Sequence, residues 1–204
     1  LFYTLIQRVR LWRQAKPELR TDYHEKRIVA FMKYVVFQVK ILRESFPGIM
    51  HVTIFWGFVG LFLVTLLIMI QDDLTELFFH VRFLYGNFYI YWSLFADLCG
   101  LVVLAGLAMA FWRRYWVKPS RLDNKMMDTF ALSLIAVIIV TGFTTEGLRI
   151  AMSNFPAFEV WSPVGYVTGL AFSWMGHTAL SVTHYISWWI HVLGAFIFIG
   201  LVAS

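Results

Sequence analysis

Cysteine is almost absent: Cys99 is the one thiol in 204 residues. That excludes a disulfide framework and any cysteine-ligated iron–sulfur cluster built within this chain. Charge is scarce as well. Asp, Glu, Lys and Arg make up 14 % of the residues, against 60 % hydrophobic and 19 % aromatic, a balance that excludes an ordinary water-soluble domain and fits a membrane protein. There is no internal repeat, no low-complexity linker and no signal peptide. The chain opens on Leu1 rather than Met, and the closing FIFIGLVAS has no polar exit, so a piece of a longer polypeptide is expected.

Long apolar runs are what the sequence has instead. A membrane-crossing helix needs about 20 mostly apolar residues, and four stretches meet this: roughly 49–70, 88–112, 127–150 and 179 to the end. The opening LFYTLI reads as the tail of a fifth. VAFMKYVVFQVKIL is amphipathic and too charged to span, so it predicts a helix lying along the membrane surface. Gly165–Met175 is expected to lie the same way on the other face, because Pro163 to Ser204 is too long for one span. The expected fold is all-α, an integral membrane bundle of about five transmembrane helices with the first truncated. Residues 1–48 form the end of the first span and a cytoplasmic surface segment, and residues 49–204 form the bundle.

Lys and Arg are unevenly spread. Ten precede Ile49, and Arg113, Arg114, Lys118, Arg121 and Lys125 follow the third span. In an alternating topology all of these fall on one side, and only Arg82 and Arg149 on the other. Basic loops stay cytoplasmic, which predicts a multi-pass protein of the plasma (inner) membrane. The net charge of +5 then reflects topology and contact with a lipid bilayer, not nucleic acid.

Histidines stand inside the apolar runs. His51 opens the second span, His80 lies just past its far end, and His177, His184 and His191 repeat every seven residues in the last segment. Seven residues turn an α-helix 20° short of two turns, so these three form one stripe. Imidazoles in hydrocarbon need partners and are usually functional. Two readings stand: hydrogen bonds to neighbouring helices, or ligation of haem iron, with Trp188, Trp189, Phe196 and Phe198 as walls. Asp97 and Glu146 also fall inside spans. Either they bond a facing Ser or Tyr, or Arg149 one turn on, or they handle protons beside a quinone.

The stretches LRESFPGIMHVTIFWG, GNFYIYWSLFADLCG, RLDNKMMDTFAL with TGFTTEGLRIA, WSPVGY and THYISWWIHVLGAF occur in this order. Together they resemble the membrane domain of heterodisulfide-reductase-related Fe–S oxidoreductases, which is similar to the nitrate reductase gamma subunit. The subgroup most resembled passes electrons from electron-transfer flavoprotein to menaquinone. The resemblance implies a di-haem cytochrome b domain with haem b held between the second and fifth spans. It also implies a [4Fe-4S]-bearing cytoplasmic domain or subunit outside this chain. His51 matches the histidine opening the second span, and His191 the first of two ligands on the fifth. The second of those would lie beyond Ser204 and partner His51. The predicted depths of His51 and His191 differ by about 11 Å, which argues against a shared iron. The pattern's other histidine on the second span, ten residues on, is replaced by Leu61. The other axial ligand of the far haem then falls to His80 or His184, or one haem alone is held.

The expected quinone site is the loop DDLTELFFHVRFLYG, with His80 and Arg82 at the quinone oxygens and Glu146 and Arg149 nearby as proton relay. Phe78, Phe79, Phe83 and Tyr85 would take the apolar head group. Two other readings are a haem-free membrane anchor for a redox partner and a small ion or proton transporter using Asp97 and Glu146.

Overall fold

The computed structural model describes residues 2–14, 22–119 and 126–203. It is helical throughout these, with no strand among the described residues. Helices α1 (Phe2–Gln14) and α2 (His24–Phe31) precede α3 (Ser45–Met69), which runs through a π-helical stretch into the single turn α4 (Leu77–Phe79). Then come α5 (Gly86–Trp112), α6 (Met126–Met152), α7 (Pro163–Phe172) and α8 (His177–Ala203). Four helical segments are long and apolar enough to cross a membrane: Ser45–Phe79, Gly86–Val117, Met126–Met152 and His177–Leu201. The expected fifth, truncated span corresponds to α1, which carries exposed Arg8, Arg10 and Arg13.

The second span begins earlier than expected. Pro47 and Gly48 lie inside the first turn of α3 rather than before it. Proline is tolerated there because its missing N–H had no intrahelical partner anyway. At Gly48 a Cβ would stand 2.7 Å from the Ile41 carbonyl oxygen and 2.8 Å from the Leu42 Cα, so only glycine lets the preceding 3-10 turn (Ile41–Arg43) lie against the helix. The segment expected to form a surface helix is helical but broken. It runs through α2 and a π-helical turn to Val36 and stops at Gln38, which is buried with φ +49°.

The spans pack as two antiparallel pairs, α3 on α5 and α6 on α8, joined through α5 and α6. Val103, Leu107, Ile135 and Ile139 form the centre, and Ile54, Phe58, Leu61 and Phe198 close on it from α3 and α8. Outside this centre the helices present apolar side chains, such as Phe62, Leu98, Tyr185 and Phe196, as expected of helices that are hydrophobic all round and need lipid on their free faces. In lipid, hydrophobicity does not drive helix association, so close packing at small residues must. Gly57 does this between α3 and α5: a Cβ there would lie 3.0 Å from the Cys99 carbonyl oxygen and 3.2 Å from the Val103 nitrogen. Backbone cannot yield as a side chain can. Gly57→Val is therefore expected to cost about 1–3 kcal/mol, read as a lower melting temperature in detergent. An unchanged melt would mean that α3 and α5 do not approach this closely.

The helix α7, in the segment expected to lie on a membrane surface, packs against α6. Gly165 and Gly169 face α6, and a Cβ at Gly169 would stand 2.8 Å from the Gly147 carbonyl oxygen. The reason is the small-xxx-small spacing of Gly165 and Gly169, which lets two helix backbones touch.

Candidate functional site

The two ends of the bundle differ. At the basic end, α3 begins, α5 runs on into a π-helical turn with Arg113 and Arg114, α6 begins and α8 finishes. A cavity of about 350 Å³ opens here, lined among others by His51, Phe58, Arg113, Arg114, Ile135 and Phe198. His51 stacks on Phe55, with ring centroids 6.0 Å apart. Arg114 is buried and pairs with Asp128 at 2.9 Å. The walls are apolar and the charge is gathered at one edge, which suits a flat apolar group with an anionic rim. Of the aromatic walls expected on α8, only Phe198 lines this cavity. Trp188, Trp189 and Phe196 face outward, because successive turns carry them to the lipid side.

His191 points at α6. Its Nδ1 lies 2.8 Å from the Ile138 carbonyl oxygen and 3.3 Å from the Thr141 hydroxyl. A carbonyl only accepts, so the proton sits on Nδ1 and the Nε2 lone pair stays available. This is the arrangement by which a second partner orients a metal-binding imidazole. Gly142 makes room for the ring, since a Cβ there would lie 3.2 Å from Cε1. The chain thus supplies imidazoles of the kind that haem iron takes, one at the His51 cavity and one here. Among the described residues no three His, Cys, Asp or Glu gather to hold a bare metal ion.

The register between α3 and α8 fixes the spacing of the two histidines. Phe58 and Phe198 meet with ring centroids 5.2 Å apart, so they mark a common level. His51 lies seven residues from Phe58 toward the basic end. His191 lies seven residues from Phe198 toward the far end. At 1.5 Å per residue the two are about 21 Å apart along the bundle, roughly double the expected separation, and they cannot share an iron. Sequence alone could not set this register. Along the same axis His80 stands roughly 20 Å beyond the level of His191, so the structure does not bring those two together. His184 is half-buried two turns before His191 on the same helix.

The far end holds a polar cluster. Arg149 grips Glu159 with both nitrogens, at 2.6 and 3.2 Å, and also donates to the Tyr89 hydroxyl at 3.1 Å. The Tyr89 hydroxyl in turn lies 3.0 Å from Glu159 Oε1. Glu159 is 1 % exposed. Glu146 lies 3.9 Å from Arg149 and against α7, where a Cβ at Gly165 would stand 2.7 Å from its Cδ. Ser162 bonds Ser93. Asp97 accepts from the Val164 N–H at 2.7 Å, tying down the start of α7. Glu146 and Arg149 are therefore together, as the sequence suggested. His80 and Arg82 are not with them. His80 is exposed at φ +52° after α4, and Arg82 is exposed and paired with Glu76 at 2.9 Å. That hydrogen bond holds the Arg82 guanidinium above its ordinary range, so it stays cationic. Phe78, Phe79 and Tyr85 beside it are exposed.

Sequence reasoning missed Glu159 and Tyr89. A signal existed: Glu159 is the last charged residue of the chain, a lone acid in apolar surroundings, and such a group must find a cation.

No family model matches this sequence, and no solved structure matches it. Curated proteins do. The chain is 34 % identical over 206 residues, 96 % of its own length, to the EtfAB:quinone oxidoreductase of Syntrophomonas wolfei subsp. wolfei. It is 28 % identical over 179 residues to a Bacillus subtilis protein named "Probable iron-sulfur-binding oxidoreductase FadF". It spans 28 % and 23 % of these two, about a quarter of their length. It is also 28 % identical over 140 residues to one subunit of the dihydromethanophenazine:CoB–CoM heterodisulfide reductase of Methanosarcina mazei, and it covers 53 % of that subunit. The homologues of this helical, membrane-type chain are thus redox proteins, the EtfAB:quinone oxidoreductase and the heterodisulfide reductase subunit among them.

Proposed function

We propose that this chain is the membrane cytochrome b domain of a quinone-linked oxidoreductase. It moves electrons between Fe–S or flavoprotein centres at its basic, cytoplasmic end and menaquinone at the far end. The observation that carries the reading is His191, held at Nδ1 by a backbone carbonyl so that Nε2 remains a ligand deep in the bundle. His51 offers a second imidazole in the basic-end cavity. Haem b, when bound, supplies one-electron chemistry that no side chain can. The chain binds it through these histidines, excludes water with the Val103–Ile139 core, and places Arg113 and Arg114 where anionic groups need them. The names of the relatives support the rest: quinone as the lipid-soluble acceptor, electron-transfer flavoprotein as donor, and iron–sulfur centres in a domain or partner outside this chain.

A reduced-minus-oxidised visible spectrum of the purified protein tests this. B-type bands are expected. A protein that stays featureless when expressed with sufficient haem is instead a haem-free anchor. For the quinone end, the exposed Arg82 cation beside Phe78, Phe79 and Tyr85 is proposed to meet a quinone oxygen, with His80 beside it. Arg82→Ala is expected to leave haem content intact and to slow reoxidation of the reduced protein by added menaquinone several-fold. Reoxidation at the parental rate would move the site away from this loop.

A further inference from the structure

Asp97 is 1 % exposed, and its two oxygens are treated differently. Oδ2 accepts the Val164 N–H, while Oδ1 is buried and receives no donor from the protein. The nearby group is another carboxyl: Asp97 holds the Val164 N–H, and at the next residue, Gly165, a Cβ would lie 2.7 Å from the Cδ of Glu146. Two ionised carboxylates only accept. A buried acceptor left without a donor costs about 1–3 kcal/mol, and facing anions repel. One proton on Glu146 resolves both: it becomes the donor that Oδ1 lacks. The surroundings grade from dry to wet: Asp97 is buried, Glu146 has 23 % of its side chain exposed, and Arg149 has 40 %. Arg149 stands 3.9 Å from Glu146, and Glu159 and Tyr89 are joined to the pair through it.

We propose that Asp97 and Glu146 form a proton-sharing carboxyl pair, fed from water past Arg149, that exchanges its proton with the quinone reacting at this end of the bundle. Glu146 is the donor and Asp97 a positioning residue that keeps the proton on it. As the quinone takes electrons from the reduced haem, the Glu146 O–H bond breaks, its proton passes along intervening water toward the loop, and an O–H bond forms at a quinone carbonyl oxygen there. The pair is then doubly ionised until water returns one proton. A second proton, needed for full reduction to the quinol, follows by the same cycle. Oxidation of a quinol runs the cycle backwards. Tyr89 connects the pair's surroundings to the proposed quinone loop, being one helical turn after Tyr85. The donor role rests on the quinone reading above; the shared proton does not.

Infrared spectroscopy separates the two. The resting protein in membranes should show a C=O stretching band of a protonated carboxyl that shifts down in D₂O. Glu146→Gln and Asp97→Asn should each remove it, because the introduced amide N–H can serve as the donor and both variants are near-isosteric. A band absent from the parent, insensitive to D₂O, or surviving in either variant overturns the shared proton. If the band behaves as expected, the quinone step is read next. Cycling with menaquinone and a reductant should perturb it, and Glu146→Gln should reoxidise at least tenfold more slowly with unchanged haem spectrum, within the roughly 100-fold or more that a positioned proton donor contributes. A band untouched by cycling, with a parental rate, overturns the donor role while leaving the pair and the b-type spectrum as found.

Discussion

Replacing Arg149 by Ala is expected to cost about 3 kcal/mol or more, the range seen when one partner of a buried ion pair is removed. The cost does not come from the lost attraction. It comes from Glu159, which is 1 % exposed and would be left with only the Tyr89 hydroxyl to answer it. The asymmetry of the pair gives an order that can be checked. Glu159→Gln leaves the guanidinium, which is 40 % exposed and open to hydration, so it should cost clearly less. The double variant Arg149→Met/Glu159→Gln removes both charges and should recover much of the loss, since a buried pair replaced by neutral groups of similar volume is often no less stable. Melting temperatures in detergent rank the three. If Arg149→Ala melts no lower than Glu159→Gln, Glu159 is not the buried anion of this site.

That cluster also shows what can be read from such a chain. The spans were legible because bilayer thickness acts on composition along one dimension: any window of about 20 apolar residues announces itself. Polar groups inside those windows were legible for the same reason, which is why Glu146, Arg149 and Asp97 could be singled out. What each of them meets was not. Glu159 sits in a short 3-10 turn (Ala157–Trp161) between α6 and α7, where no periodicity points it inward; it is buried because α7 folds back onto α6. The spacing of Gly165 and Gly169 carries that information. The register of α3 against α8 was likewise illegible, since hydropathy is nearly uniform around both helices and leaves rotation and sliding to packing at Phe58 and Phe198. His80 looked close to Glu146 because both belong to the far end. The structure separates them because α3 continues to Phe79 and carries the loop beyond the level of the cluster.

The largest functional effect is expected at His191. With Ala there, the Ile138 carbonyl and Thr141 hydroxyl lose the imidazole, keeping only the bond between themselves and that of Thr141 to Val137, and no other described histidine can take over. His184 is two turns away on the same helix, about 10.5 Å along it, and His51 and His80 stand roughly 20 Å off in opposite directions. One b-type signal should therefore vanish, in full rather than in part. The signal belonging to the His51 cavity should remain, because about 21 Å of packed helix separates the two positions. Loss of structure would mimic loss of haem, so the control is built into the contact itself. Thr141→Val removes the 3.3 Å hydroxyl partner but leaves the Ile138 carbonyl holding Nδ1. It should keep the haem and shift its midpoint potential, because a hydrogen bond at Nδ1 tunes the basicity of the ligating Nε2. A stable His191→Ala protein with its full b-type spectrum would end the assignment. Loss of both signals together, in a protein that still melts like the parent, would mean that the two histidines serve one cofactor and that the register drawn from Phe58 and Phe198 is wrong.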